Sequence, residues 1–151
     1  MVFIKEIVPK WALTFVANTV YKEHYETLPM KHTWNVESDQ LTVEYQWKKN
    51  NKWNSIRVDA HNEKRKIEEN SETEFITEHY WGYAKVTEQK TNEYEVTHPK
   101  WDVYEVSDYS IDVDYGTVYG EEFQFLNSMT PTSVMLAEGS EITVENKKTL
   151  R

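Results

Sequence analysis

Cysteine is absent from all 151 residues. That excludes disulfides, a thiol nucleophile and thiolate sites for zinc or iron–sulfur clusters, and it fits a reducing compartment. Glycine is scarce, with four residues, and neither GxGxxG nor GxxxxGK[ST] occurs. A phosphate cradle of the Rossmann or P-loop kind is therefore excluded. No apolar run approaches the roughly 18 residues that a membrane span needs. The start, Met1-Val2-Phe3-Ile4-Lys5-Glu6, lacks the charged and apolar regions of a signal peptide. Positive charge is also short: 17 Lys and Arg stand against 26 Asp and Glu, a net charge of -9. The basic clusters Lys48-Lys49, Lys64-Arg65-Lys66 and Lys147-Lys148 are too small to offset that background, which argues against a nucleic-acid partner. The expectation is a cytoplasmic protein with no nucleic-acid or membrane partner and no cofactor.

What the chain has in abundance is aromatic residues, with six Trp, ten Tyr and five Phe. Aromatics suit pleated, half-buried surfaces, so the composition leans toward β structure. The length suits one domain over residues 1–151. Val2 to Val8 reads as a strand. Pro9 stands where a first helical turn begins, and Ala12, Leu13, Val16 and Val20 recur at helical spacing, predicting a helix from about Lys10 to Tyr21. Met30 to Val36 supplies a further strand. Leu41, Val43, Tyr45 and Trp47 alternate with polar residues, Asn50-Asn51 makes a turn, and Ile56, Val58 and Ala60 alternate again: an antiparallel hairpin. Asn62 to Asn70 reads as a loop. Ser71-Glu72-Thr73-Glu74 has the form of a capping box and predicts a short helix from about Glu72 to His79. Strands follow at Tyr80–Glu88, Tyr94–His98 and Trp101–Val106. A final hairpin is expected between Val134–Leu136 and Ile142–Val144, around Gly139-Ser140.

Three stretches carry a resemblance. The first is Phe3-Ile4-Lys5-Glu6-Ile7-Val8-Pro9-Lys10, leading on to Tyr25 and Leu28-Pro29-Met30. The second is Phe75-Ile76-Thr77-Glu78-His79-Tyr80-Trp81-Gly82-Tyr83 with Thr97-His98-Pro99-Lys100-Trp101. The third is Ser133-Val134-Met135-Leu136-Ala137-Glu138-Gly139-Ser140. Together they resemble the YqjF-like family of uncharacterised bacterial proteins, the domain of unknown function 2071 family. The resemblance implies an α+β fold, mostly antiparallel, forming a partial acetoacetate-decarboxylase-like β-barrel with one or two short helices. It also implies that strands found before Phe3 in the family are missing here. The strand containing Phe3 and Ile4 would then be an unpaired edge and the chain a homo-oligomer.

By the same resemblance, Pro9-Lys10, with Glu6 before it at a different spacing, is similar to the segment that carries the Schiff-base lysine of acetoacetate decarboxylases. That chemistry needs a desolvated amine beside another cation. The competing reading is a solvent-facing lysine in the first turn of a helix. Tyr80, Tyr83, His98 and Trp101 are the candidate ligand-binding residues, an aromatic wall with one polar group; core packing explains the same residues. None of the five histidines lies in a local metal motif. Asp108, Ser110 and Asp112 fail as a calcium loop because Val113 stands where glycine is required. Tyr109, Ile111, Val113 and Tyr115 alternate with acidic and polar residues, as in a strand with a solvated acidic face. The functional expectation is a small-molecule-binding domain, taking an apolar or carbonyl-containing ligand. Its alternatives are a lyase or decarboxylase using Lys10, and a non-catalytic remnant of a longer protein.

Overall fold

The computed structural model describes residues 4–21 and 23–150. Val2 and Phe3 of the expected first strand lie outside them. In chain order the elements are β1 (Glu6–Val8), α1 (Trp11–Val16), a π-helical turn (Ala17–Tyr21), β2 (Tyr25–Thr27), β3 (Met30–Glu37), β4 (Gln40–Lys49) and β5 (Lys52–Lys66). Then come α2 (Glu72–Thr77), β6 (Trp81–Thr87), β7 (Lys90–Thr97), β8 (Asp102–Asp112), α3 (Tyr115–Tyr119) and a 3-10 helix (Glu121–Ser128). Three short strands complete the chain: β9 (Leu136–Ala137), β10 (Thr143–Val144) and β11 (Lys148–Leu150). The chain divides into two compact units. Unit 1 holds residues 1–27, 67–101 and 139–151, and unit 2 holds residues 28–66 and 102–138.

Unit 2 is built on a five-stranded antiparallel sheet in the order β3-β4-β5-β8-β9. Its central hairpin forms as the alternation predicts. Asn50 and Asn51 both take positive φ, 46° and 64°, which gives a two-residue turn whose twist matches that of the strands. The alternation puts Leu41, Val43, Val58 and Ala60 on one face, where all four are buried. Leu41, Val43 and Ala60 join Tyr104 as the core of this unit, with Leu136 packed against them. Full burial of a side chain such as Leu41 stabilises by about 1.5–3 kcal/mol. β5 runs on to Lys66, through residues expected to be a loop. A register shift between Ala60 and Lys64 lets the strand resume pairing, Lys64 with Tyr104 and Lys66 with Asp102. No periodicity of apolar residues marks that stretch, because both of its faces are exposed.

At the far end of β8, Asn54 is buried to 1% exposure, and its Oδ1 accepts the Asp114 backbone N–H at 2.9 Å. Asp114 in turn caps α3, its carboxylate accepting from the N–H and hydroxyl of Thr117 at 3.1 and 2.9 Å. These bonds hold the Asp114 carboxyl below its usual range.

Unit 1 contains a parallel pair, β1 with β2, and a four-stranded antiparallel sheet in which β7 pairs with β6 on one edge and with β10 and β11 on the other. The predicted helix is present from Trp11 and passes into the π-helical turn. Trp11, Leu13, Phe15 and Val16 nevertheless remain exposed, and Ala17 alone of the apolar residues from 11 to 19 is buried. The capping box works at Ser71, whose Oγ accepts the Glu74 N–H at 3.1 Å, and the Glu74 carboxylate accepts the Asn70 N–H at 2.7 Å.

Two further expectations are corrected. Among the described residues the sheets do not close: the five-stranded sheet ends at β3 and β9, which do not pair, and the four-stranded sheet is likewise open. A barrel needs its first and last strands joined with a consistent stagger. The fold is therefore α+β and mostly antiparallel, without the acetoacetate-decarboxylase-like barrel. The expected final hairpin also does not form, since Leu136 and Ala137 pair with β8 while Thr143 and Val144 pair with β7. Ile4 precedes the first strand, and among the described residues Glu6–Val8 pairs with β2 on one edge only, in a two-stranded sheet.

Candidate functional site

Parallel pairing sets Glu6 beside Tyr25, Ile7 beside Glu26 and Val8 beside Thr27. The Glu6 N–H donates to the His24 carbonyl at 2.9 Å. On the opposite edge of β2, Asn18 takes the part of another strand. Its Nδ2 donates to the Tyr25 carbonyl at 2.9 Å, and its Oδ1 accepts the Tyr25 N–H at 2.7 Å. The hydroxyls of Thr14 and Thr27 meet at 2.6 Å and tie α1 to the same strand. Glu23 is held at the entry of β2 by its N–H, which donates to the Ala17 carbonyl at 3.3 Å. From β7, Tyr94 reaches across and donates its phenolic hydrogen to the Glu23 carboxylate.

Lys5, Asn18, Glu23, His24, Tyr25 and Glu26 line an open cleft of about 520 Å³. Lys5 is paired within it, its ammonium 3.2 Å from the Glu26 carboxylate. Glu6 stands close enough to Glu23 for its charge to act there. Desolvation raises the Glu23 carboxyl above its ordinary value, and the neighbouring Glu6 charge adds to the effect. Desolvation also raises Glu6, although the residue keeps an exposed surface. The Tyr25 phenol is pushed up to about 12 by desolvation, then by Glu23, then by Glu6. Two carboxyls in this arrangement resist ionising together, so the pair retains a proton more readily than free glutamates do. A cation placed between them would relieve both the repulsion and the lost hydration.

The structure brings some of the sequence candidates together and leaves others apart. Glu6 belongs to the carboxyl pair. Lys10 is exposed at the cap of α1, with its carbonyl accepting the Leu13 N–H at 3.1 Å. Tyr80, His98 and Trp101 form a ladder of rings, with His98 stacked on Trp101 at 4.1 Å between centroids and tilted against Tyr80 at 5.0 Å. The His98 imidazole lies 2.9 Å from the Pro99 carbonyl, Trp101 Nε1 donates to Ser140 at 2.9 Å, and the Tyr80 hydroxyl donates to Glu78. Tyr83 stands apart on β6, exposed, its phenol raised chiefly by the Glu93 carboxylate bonded to it. Sequence reasoning placed Tyr94 only among the aromatic residues able to line a pocket, without its bond to Glu23, and missed Glu23 and Tyr25 as site residues. The usable signal was Gly82, a glycine inside a strand, which often marks a close approach of other atoms.

One comparison with known families gives a match that spans all three quoted sequence stretches. A family described as an uncharacterized conserved protein, the domain of unknown function 2071 family, matches residues 1–141. The chain belongs to this family. The match spans segments of both units, so the domain of unknown function 2071 comprises the carboxyl pair, the ring ladder and the five-stranded sheet. No curated protein and no solved structure matches the chain. Among the described residues, no group of His, Asp and Glu could hold a metal ion, and no helix is long and apolar enough to cross a membrane.

Proposed function

We propose that this chain is a cytoplasmic, single-domain small-molecule-binding protein whose ligand carries a compact cationic group, such as a primary or quaternary amine. The supporting observation is the cleft bordered by Glu23 and Tyr25, with Glu6 beside them. Two desolvated acidic groups, Glu23 and Tyr25, line that open space, and the lysine of the cleft, Lys5, is already paired with Glu26. A primary ammonium donates hydrogen bonds to carboxylates and a quaternary one is held by charge alone, and neither accepts a hydrogen bond, so both suit a site rich in carboxylates. Perturbed carboxyls beside a cleft also suit proton transfer. A Schiff base on Lys10 has no such support, because that chemistry needs a desolvated amine and Lys10 is exposed.

The test is an NMR titration of the whole chain with ethanolamine and choline, against acetate and glycerol as controls. Saturable shifts in residues 18–26 with the amines alone, abolished by Glu23→Gln, support the reading. Binding should also strengthen as pH rises through the elevated carboxyl range. Equal response to the amines and the controls, or none to the amines, overturns it.

A further inference from the structure

β3 pairs with β4 along all eight of its residues, and its other edge has no partner strand among the described residues. Native edges are usually blunted by proline, by a bulge or by brevity. β3 contains no proline, its register with β4 is unbroken from Met30 to Glu37, and Trp34 and Val36 are each 49% exposed. It is an unbroken, largely exposed template.

The direction of its free hydrogen-bonding groups follows from the hairpin. The two-residue turn Ser38-Asp39 closes on the pair Glu37 and Gln40, and the closing pair of such a hairpin is hydrogen-bonded. Bonded and non-bonded pairs then alternate, so Lys31, Thr33, Asn35 and Glu37 spend their backbone groups on β4. Met30, His32, Trp34 and Val36 turn theirs outward.

We propose that β3 pairs antiparallel with β3 of a second copy about a two-fold axis at Trp34, joining two five-stranded sheets into one. In that register Trp34 meets Trp34, and His32 meets Val36 on both sides of the axis. His32, Trp34 and Val36 thus meet residues whose backbone groups also turn outward, while Met30 falls against Ser38 of the turn. On the opposite face Lys31 falls against Glu37 of the second copy, twice per dimer. The charges at the two ends of the strand are thus complementary to the strand itself. Glu37 is held at its end by the Asn35 side-chain amide, which donates to it at 2.9 Å. Lys31 lies over the Trp53 ring, 4.6 Å from its centroid, on the same face of the sheet. Shifting the axis by one residue loses the match. An axis at Thr33 sets Lys31 against Asn35 and Glu37 against Pro29, so both charges lose their opposite partners. An axis at Asn35 carries Lys31 past the end of the strand.

The experiment is sedimentation velocity over a concentration series on the wild-type chain, Lys31→Glu, Glu37→Lys and the double exchange, with circular dichroism to confirm that each is folded. The wild type should dimerise. Each single exchange should weaken the dimer about tenfold, since it opposes like charges at two places, and the double exchange should restore it. The chain has no cysteine, so Trp34→Cys introduces a single thiol at the axis. Mild oxidation should convert it to a covalent dimer well before Asn51→Cys, which lies in an exposed turn. A wild-type monomer at every concentration overturns the proposal, including the case where a strand of another protein occupies the edge. A dimer indifferent to both single exchanges, or equal cross-linking at positions 34 and 51, overturns it as well.

Discussion

Gly82 sits opposite Tyr94 in the β6–β7 pair, and the tyrosine ring occupies the space that a Cβ on Gly82 would need. A carbon built there would lie 2.2 Å from Tyr94 Cζ. The missing side chain lets the ring lie across β6 and aim its hydroxyl at Glu23. Gly82→Ala should push the ring aside and break that bond, at a cost of about 1–3 kcal/mol in urea unfolding, as overpacking does. Tyr94→Phe keeps the ring and loses the bond alone, about 1 kcal/mol. Equal losses in the two variants would show that the close approach has no cost of its own.

The carboxyl pair should give a recognisable dependence of stability on pH. Glu6 and Glu23 have raised values in the folded chain, so between the unfolded value of about 4.3 and the folded one the native state binds more protons than the unfolded state. Their contribution is fully present below the unfolded value and is lost as pH rises through the folded values. Glu23→Gln should therefore flatten this fall and gain relative stability toward neutral pH. Asp59, lowered chiefly by hydrogen bonds from Arg57 and Thr42, works in the opposite sense, and its contribution is lost on acidification. Glu23→Gln should also bring the Tyr25 phenol down from about 12, read from the phenolate absorbance in an alkaline titration, with Tyr25→Phe identifying the band.

Asn54 joins the core of unit 2 to the cap of α3. Asn54→Ala removes the acceptor of the Asp114 N–H and leaves a hole where the amide was buried. A loss of about 1–3 kcal/mol in chemical unfolding is expected. Loss of order should show first in the amide exchange of residues 114–119. A loss below about 0.5 kcal/mol would mean that water replaces the amide freely.

The hairpin of β4 and β5 was legible because one face of each strand is buried and two asparagines suit the turn. The cap at Ser71 was legible because its bonds join neighbours in sequence. Continuation of β5 beyond Ala60 was not, since a strand exposed on both faces has no apolar alternation. The separation of Leu136–Ala137 from Thr143–Val144 was also hidden: a turn signal at Gly139-Ser140 says that the chain bends, not which strands receive its two arms. His98 and Trp101 could be grouped from their spacing, and they do stack. Glu23 and Tyr94 could not, because 71 residues separate them and nothing local to either announces the other.

The division of the chain into interleaved segments bears on how it is made. The polypeptide passes between the two units after Thr27, Lys66, Trp101 and Glu138. During synthesis, unit 2 cannot place β9 against Val103 and Tyr104 until residue 137 has left the ribosome, and β7 must wait longer still for Thr143–Val144 and Lys148–Leu150. The carboxyl pair is different: β1, α1 and β2 all lie within the first 27 residues, although Tyr94 arrives much later. Neither unit can be released as a contiguous fragment by cutting the gene at one point. Nascent chains arrested short of residue 150 should remain sensitive to protease along β7, the strand whose second edge is supplied last.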